Sequence, residues 1–580
     1  MAGWKAQLAE TARRNRIELI DAKLSRRELF KLGLLTSSGY LVTKVGLSAR
    51  AVHADDGPSS PPTTPWVEEL PIPAVRQQNP LDPAPTAEVN TAMGEMGRGT
   101  HQGWTQFYDP ANLDSYLINY QLAHPVWHRE LPPDVCWLFD GVFPGPRLHA
   151  RYGRPTLVRF QNQLPALDQH TGYGRPAMTT HLHNAHTPSE SDGNPLDEVL
   201  PGHWKDHFYP NVLAGFTDPK YAGTMGDPRE SMSTLWYHDH MVDFTAQNIY
   251  RGLAGVYYLF NEFDSGDEND PNPSAFRLPS GAFDVPLVFH DRVFDSQGLG
   301  YYDLFNLDGI LGDKFSVNGK INPFLRVARR KYRFRTQNIG PSRWYEFFLS
   351  NGQDLVQITE DGNLLPAPYR TKSIRLAVAE RKDVILDFSS FPDGTELYLV
   401  NCLEQTDGRG PTGNVLSIGA GTPILKFIVD ASIDTLGDPS RVPDRFYDLP
   451  PVDMNEVVTT RTFEFDRSNG SWTVNGRTFD PAVFSASPRQ GTAEVWTIVN
   501  SSGGWMHPVH IHFEEHRILS RNGSPPRPNE VSRKDVIELG HGETIKIFLR
   551  FRDFLGRYPM HCHNVVHEDH AMMIMWDIVP

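Results

Sequence analysis

The sequence predicts an all-β protein built from several packed units, and three observations carry that prediction. Short runs rich in β-branched and aromatic residues recur along the chain, among them Thr156-Leu157-Val158-Arg159-Phe160, Val384-Ile385-Leu386-Asp387-Phe388 and Ile545-Lys546-Ile547-Phe548-Leu549. Glycine and proline are frequent, at 47 residues each, which suits many tight turns and disfavours helices. The chain has 580 residues, and at about 150 residues per domain this length gives three or four units. Apolar residues make up 39%, ample for that many packed cores.

The first segment is an address rather than structure. Ser25-Arg26-Arg27-Glu28-Leu29-Phe30-Lys31 resembles a twin-arginine export signal with the usual Phe-Leu order reversed. The apolar stretch that follows, Leu32 to Ala49, is short and broken by Lys44, so it does not read as a transmembrane helix. Val52-His53-Ala54 offers small residues for cleavage, which makes residues 1–54 the signal and Asp55 the start of the mature chain. The alternative is a basic amphipathic helix that stays attached. The signal reading implies the twin-arginine export machinery as a partner, a periplasmic or otherwise exported bacterial protein, and no membrane contact after cleavage.

Ten Lys/Arg against four Asp/Glu give residues 1–54 a charge of +6, so their removal takes the formal net charge from −15 to −21. Such an acidic surface argues against nucleic acid and anionic membranes as partners. It is compatible with cationic or metal-ion substrates.

Residues 55–95 are rich in Pro, Ser and Thr and are expected to form an extended or disordered arm. A first unit is placed at 96–263, followed by an acidic, proline-containing linker from Asp264 to Pro273. A second unit at 283–432 carries no metal motif and reads as a spacer. A connector with Asp438-Pro439-Ser440 and Leu449-Pro450-Pro451 leads to a third unit at 455–580.

Four short segments carry the chemistry. His561-Cys562-His563 is followed by His567 and Met572. Successive side chains on a strand face opposite ways, so Cys562 points to one side and the two flanking imidazoles to the other. A thiolate with His567 and a weak axial Met572 is the ligand set of a blue copper site. His507-Pro508-Val509-His510-Ile511-His512 offers two imidazoles of one parity and His507 of the other, which can serve the thiolate site. His181-Leu182-His183 and His238-Asp239-His240 each present two more. A single His-x-His is a weak signal, and most such histidines are ordinary core or surface residues. Four segments in this order are specific.

With these residues the chain resembles the multicopper oxidases, whose four copper-binding segments run HxH, HxH, HPxHxH and HCHxxxHxxxxM. The resemblance implies three cupredoxin-like Greek-key β-sandwich domains and four copper ions. It places His507, Cys562, His567 and Met572 on the type 1 copper, and His181 and His510 on the type 2 copper. His183, His238, His240, His512, His561 and His563 fall to the type 3 pair. The cluster then lies between the first and third domains. Thr187-Pro188, Ser191-Asp192-Gly193, Trp236-Tyr237 and His567-Glu568-Asp569 are similar to the group of spore-coat laccase, bilirubin oxidase and phenoxazinone synthase. In that group acidic residues at the positions of Asp192 and Glu568 assist proton delivery to the cluster as catalytic groups. Asp192 can instead be a turn residue before Gly193, and Glu568 an anchor for a histidine.

The implied activity is a laccase-like oxidoreductase. One electron at a time passes from a phenol, aminophenol or bilirubin-like substrate to the type 1 copper, and oxygen is reduced to water at the cluster. His507 or His567 is the expected point of electron uptake, through an imidazole edge that reaches solvent. Met572 as axial ligand implies a modest potential and easily oxidised substrates. The alternative is a metallo-oxidase of Mn(II), Cu(I) or Fe(II); the absence of a methionine-rich insert speaks against Cu(I). A non-catalytic structural protein is a third reading. Glu514, Glu515 and His516 depart from the family pattern, and read either as a solvated strand edge, the preferred reading, or as a lining of the substrate approach. Cys136 and Cys402 read as buried free thiols or as a disulfide.

Overall fold

The computed structural model describes residues 58–170, 172–433, 437–468 and 470–580. The export signal expected within residues 1–54 lies outside the described residues. Among the described residues the strands form six sheets, which fall into three successive pairs along the chain. No described helix is long and apolar enough to cross a membrane.

The first pair joins a sheet of Cys136–Phe139, Asp114–Ala123, Thr156–Asn162 and Trp204–Tyr209 to one of Gly145–Arg151, Ala254–Phe260, Thr234–Asp239 and Thr180–His183. Inward residues of both sheets interdigitate, with Ile118, Phe139 and Phe160 meeting Leu182, Leu235 and Tyr257. This is sheet-on-sheet packing, with alternate residues turned to the core. The second pair repeats it, Phe289 and Phe334 facing Phe347, Leu399 and Phe427. In the third, Phe465, Trp496 and Ile547 face Ile511, Met560 and Trp576. Every pair mixes parallel and antiparallel neighbours, as in Asp114–Ala123 with Thr156–Asn162, Asp284–Phe294 with Lys331–Asn338, and Val457–Ser468 with Thr492–Asn500, all parallel. The all-β expectation holds.

The arm takes the extended one of its two expected forms. From residue 58 it is extended but docked, with Glu69 bridged to Phe324, Val75 to Arg147 and Glu95 to Trp204. Leu70 and Glu95 are buried along it, and Glu95 pairs in the interior with Arg98, just past its end. A proline-rich composition left extension and disorder both open, and backbone bridges to three separate strands supply partners that local sequence does not reveal.

Strand register positions the site. Thr180–His183 and Thr234–Asp239 are adjacent and antiparallel, with His181 opposite His238. In the third pair, His507–Ile511 lies beside Gly556–Cys562, with His510 opposite His561 and Val509 opposite Cys562. His240, His512 and His563 stand one residue past the ends of these strands, and His567 sits on the short helix Val565–Asp569.

Candidate metal centre

The alternation expected of a strand separates the two sides of Cys562. On one side, Cys562 Sγ lies 3.3 Å from His507 Nδ1 and 3.6 Å from His567 Nδ1, and the two nitrogens are 3.3 Å apart. Their other nitrogens are engaged elsewhere: His507 Nε2 bonds Ser502 Oγ at 2.8 Å, and His567 Nε2 bonds the Asp308 carbonyl at 3.0 Å. Nδ1 is therefore the free donor on both rings. Met572 follows the helix and is buried in the same core as Cys562, its N–H donating to the His567 carbonyl at 3.0 Å.

On the other side eight imidazoles converge. His240 Nε2 lies 3.1 Å from both His512 Nε2 and His561 Nε2, which are 3.2 Å from one another. His183, His238 and His563 form a second trio, with ring centroids 5.3 to 5.7 Å apart. His181 and His510 bring their Nε2 atoms to 3.4 Å. All eight rings are buried, at 1% exposure or less.

Outward hydrogen bonds set the ring orientations. Nδ1 of His181 bonds the Asp192 carbonyl, that of His238 the Asp239 carbonyl and that of His510 the Asp535 carbonyl. Each such bond keeps a proton on the outer nitrogen and leaves the inner lone pair free. The loop bearing Asp192 comes close because Gly193 has no side chain: a Cβ there would lie 2.2 Å from the Thr180 carbonyl oxygen.

The donor set fits a cation. Burial pushes His238 and His567 down to about 3, and holds His181, His507, His510, His512 and His563 well below the ordinary imidazole range. Neutral imidazoles are the form that binds metal. Nε2 of His238, Nδ1 of His183 and both nitrogens of His563 have no hydrogen-bond partner in this dry interior. Unpaired buried polar atoms are costly, and a metal ion would satisfy them. Burial likewise pushes the Cys562 thiol far up, so a bound cation is what would make it a thiolate. Imidazole with thiolate and thioether is the donor chemistry of copper.

Comparison with known proteins agrees. A family model described as multicopper oxidase matches residues 451–580. The chain is 31% identical to a laccase of Bacillus subtilis over 509 residues, covering 78% of this chain and 91% of that one. It is 33% identical to a bilirubin oxidase of Albifimbria verrucaria over 455 residues, 75% of this chain and 71% of that one. The chain belongs to the multicopper oxidases. A crystal structure of a laccase from Pediococcus acidilactici superposes with a TM-score of 0.70 at 22% identity, over 92% of this chain and 98% of the other. The cupredoxin-like architecture is therefore shared, and this multicopper oxidase is an oxidoreductase that uses copper and O2.

Around the cluster of this multicopper oxidase, Asp192 Oδ2 bonds His512 Nδ1 at 2.8 Å. Glu568 lies across two rings, 3.2 Å from His240 Nδ1 and 3.0 Å from His561 Nδ1. Burial raises the Asp192 carboxyl well above its ordinary range. Both carboxyls therefore touch imidazoles of the cluster.

Two expectations are corrected. Neither His507 nor His567 offers an imidazole edge to solvent, since both are fully buried and both outer nitrogens are bonded. The Asp308 backbone comes from the preceding unit and closes over His567 from 259 residues away, which no local pattern signals. Glu514, Glu515 and His516 form neither a solvated edge nor a substrate lining. Glu514 pairs with Arg552 at 2.9 Å, Glu515 pairs with Arg533, and His516 is wholly buried. Cys136 and Cys402 are buried free thiols.

Three groups at the centre carry no local sequence signal. Asp535 lies 2.7 Å from His183 Nε2. Burial raises its carboxyl, against the pull of the Arg381 guanidinium. Trp472 stacks on His567, and Asn564 Nδ2 lies 3.1 Å from His567 Nε2.

Proposed function

We propose that the chain is a laccase-like oxidase of small organic reductants. One observation carries the reading: Cys562 meets His507 and His567 on one side, while its neighbours His561 and His563 aim into the eight-imidazole cluster. His507, Cys562, His567 and Met572 would hold a type 1 copper, His181 and His510 a type 2 copper, and the two imidazole trios a type 3 pair. When bound, the four ions supply one-electron acceptance from the reductant and four-electron reduction of O2 to water.

The residues do the rest. The peptide on either side of Cys562 gives a continuous covalent route from the thiolate to two cluster imidazoles. Asp192 Oδ2 bonds the outer Nδ1 of His512 and Glu568 lies against those of His240 and His561, and these are the buried carboxyls available to pass protons inward. Burial of all eight imidazoles keeps bulk water from the reacting centre.

Oxygen uptake by the copper-loaded protein tests the reading, run in parallel with a phenol, an aminophenol, bilirubin, Mn(II), Cu(I) and Fe(II). Fast uptake with the organic reductants and slow uptake with the metals is expected. The reverse ranking would make the protein a metallo-oxidase.

A further inference from the structure

His183 turns the opposite nitrogen inward from its neighbours. His181, His238, His510 and His512 all hold Nδ1 outward against an oxygen acceptor. In His183 it is Nε2 that lies against a carboxylate, in an ion-pair contact 2.7 Å from Asp535 Oδ2 and without a directed hydrogen bond, while Nδ1 has no partner at all. Asp535 thereby serves two rings, because its backbone carbonyl also accepts from His510 Nδ1 at 2.9 Å.

The far side of the Asp535 carboxylate is gripped by Arg381. Its Nη1 donates to Oδ1 at 2.9 Å and to Oδ2 at 3.1 Å. The guanidinium is itself fixed by the carbonyls of Ala379 at 3.0 Å and Asp361 at 2.8 Å. Arg381, Asp535 and His183 are all buried, at 1% exposure or less. Arg381 begins the strand Arg381–Asp387 in the second sheet pair, which contributes none of the candidate ligands.

We propose that Arg381 and Asp535 are positioning residues that hold His183 with its proton on Nε2, so that Nδ1 alone faces the copper cluster. The proposal rests on the multicopper reading above. Guanidinium only donates, and Arg381 donates to both Asp535 oxygens, so an ionised Asp535 can meet His183 only as an acceptor. An amide in place of the carboxylate behaves differently. Arg381 would claim its oxygen and turn the NH2 group toward His183 Nε2. That donor selects the tautomer with its proton on Nδ1, where copper must bind. The same carboxylate-to-amide exchange imposes the wrong histidine tautomer in the Ser-His-Asp triad.

The test compares D535N with D535N carrying R381M in addition, using copper per chain, EPR of the resting protein, blue absorption and kcat against KM. D535N is expected to keep the blue absorption and the KM for reductant. Its copper affinity at the cluster or its kcat should fall about 10–100-fold, with more EPR-visible copper as the coupled pair is lost. Adding R381M frees the amide to turn its oxygen to His183, and should restore most of the coupled copper. D535N indistinguishable from wild type, or a double variant no better than the single one, overturns the proposal. If D535N yields no soluble protein, R381K and R381M take its place. The lysine still donates to Asp535 and should keep coupled copper that R381M loses; equal loss in both overturns it. Wild-type protein that stays colourless after copper loading would instead refute the underlying multicopper reading, before any variant is compared.

Discussion

Trp472 lies stacked on His567, with ring centroids 3.8 Å apart and planes inclined by 30°. Its Nε1 donates to the Leu307 carbonyl at 2.7 Å, so the indole is fixed beside the backbone that caps His567. Trp505 meets Trp472 edge-on at 5.4 Å and is only half-buried. Arg467 spans both rings, 4.6 Å from one centroid and 4.5 Å from the other. Two indoles therefore lie between solvent and the residues that would hold a type 1 copper, and with the imidazole edges closed they are the route we propose.

That route predicts a kinetic signature. Trp505→Leu should lower kcat/KM for organic reductants roughly tenfold while the blue absorption stays at its wild-type position. Steady-state oxygen uptake alongside a visible spectrum checks it. Unchanged kcat/KM would mean that the reductant reaches His567 by another path.

Removing the thiolate is a sharper change. Cys562→Ser replaces a soft ligand with a hydroxyl that binds copper poorly. Blue absorption should vanish, and substrate oxidation should fall by more than the roughly 10–100-fold that supporting residues cost. Retained turnover would place electron uptake away from Cys562.

Acid stability follows from Asp553. It accepts from His186 Nε2 at 2.7 Å, from the N–H groups of Gly215 and Thr217 at 2.6 and 2.9 Å, and from Thr217 Oγ1 at 2.6 Å. These bonds join the first unit to the third and, with the charge of His186, outweigh burial and hold the carboxyl well below its ordinary range. A depressed folded-state value means that the stabilisation is present above the ordinary carboxylate range, near pH 4, and is lost as pH falls toward the folded value. Asp553→Asn should therefore cost about 2 kcal/mol at neutral pH and less as the solution is acidified below pH ~4. Thermal melts from neutral pH down to mild acid would read the difference; a gap that widens on acidification would refute the assignment.

The convergence of these histidines about Cys562 was legible in the sequence because its information is local. Strand alternation sends Cys562 and His561 to opposite faces wherever the strand lies, and spacing alone pairs His181 with His183. What could not be read was supplied from far along the chain. Asp308 caps His567 across 259 residues, and the Glu514–Arg552 pair spans 38. Glu514 and Glu515 looked solvated because two adjacent carboxylates usually are; Arg552 and Arg533, from loops elsewhere in the chain, reverse that outcome. The docking of the arm was hidden the same way, its composition allowing extension or disorder while its bridges lie on strands of the first and second units.

Glu568 separates anchoring from proton supply. Its two oxygens lie 3.2 Å from Nδ1 of His240 and 3.0 Å from Nδ1 of His561, so a carboxylate sits against both rings at once. Gln in its place has one acceptor and one donor. One ring must then face an N–H2 group, which disfavours the tautomer that directs Nε2 to the cluster. Glu568→Asp keeps both acceptors and shortens the side chain by one methylene. If Glu568 only anchors, the aspartate variant should approach wild-type kcat once copper is fully loaded. If it also delivers protons, kcat should stay depressed about 10–100-fold at full copper occupancy, because efficient transfer needs the carboxyl within hydrogen-bond reach. We expect the second outcome, with KM for the organic reductant unchanged, because the indole route lies on the other side of Cys562. Copper content measured on the sample used for oxygen uptake decides it, and full activity in a fully loaded E568D chain would remove Glu568 from the proton path.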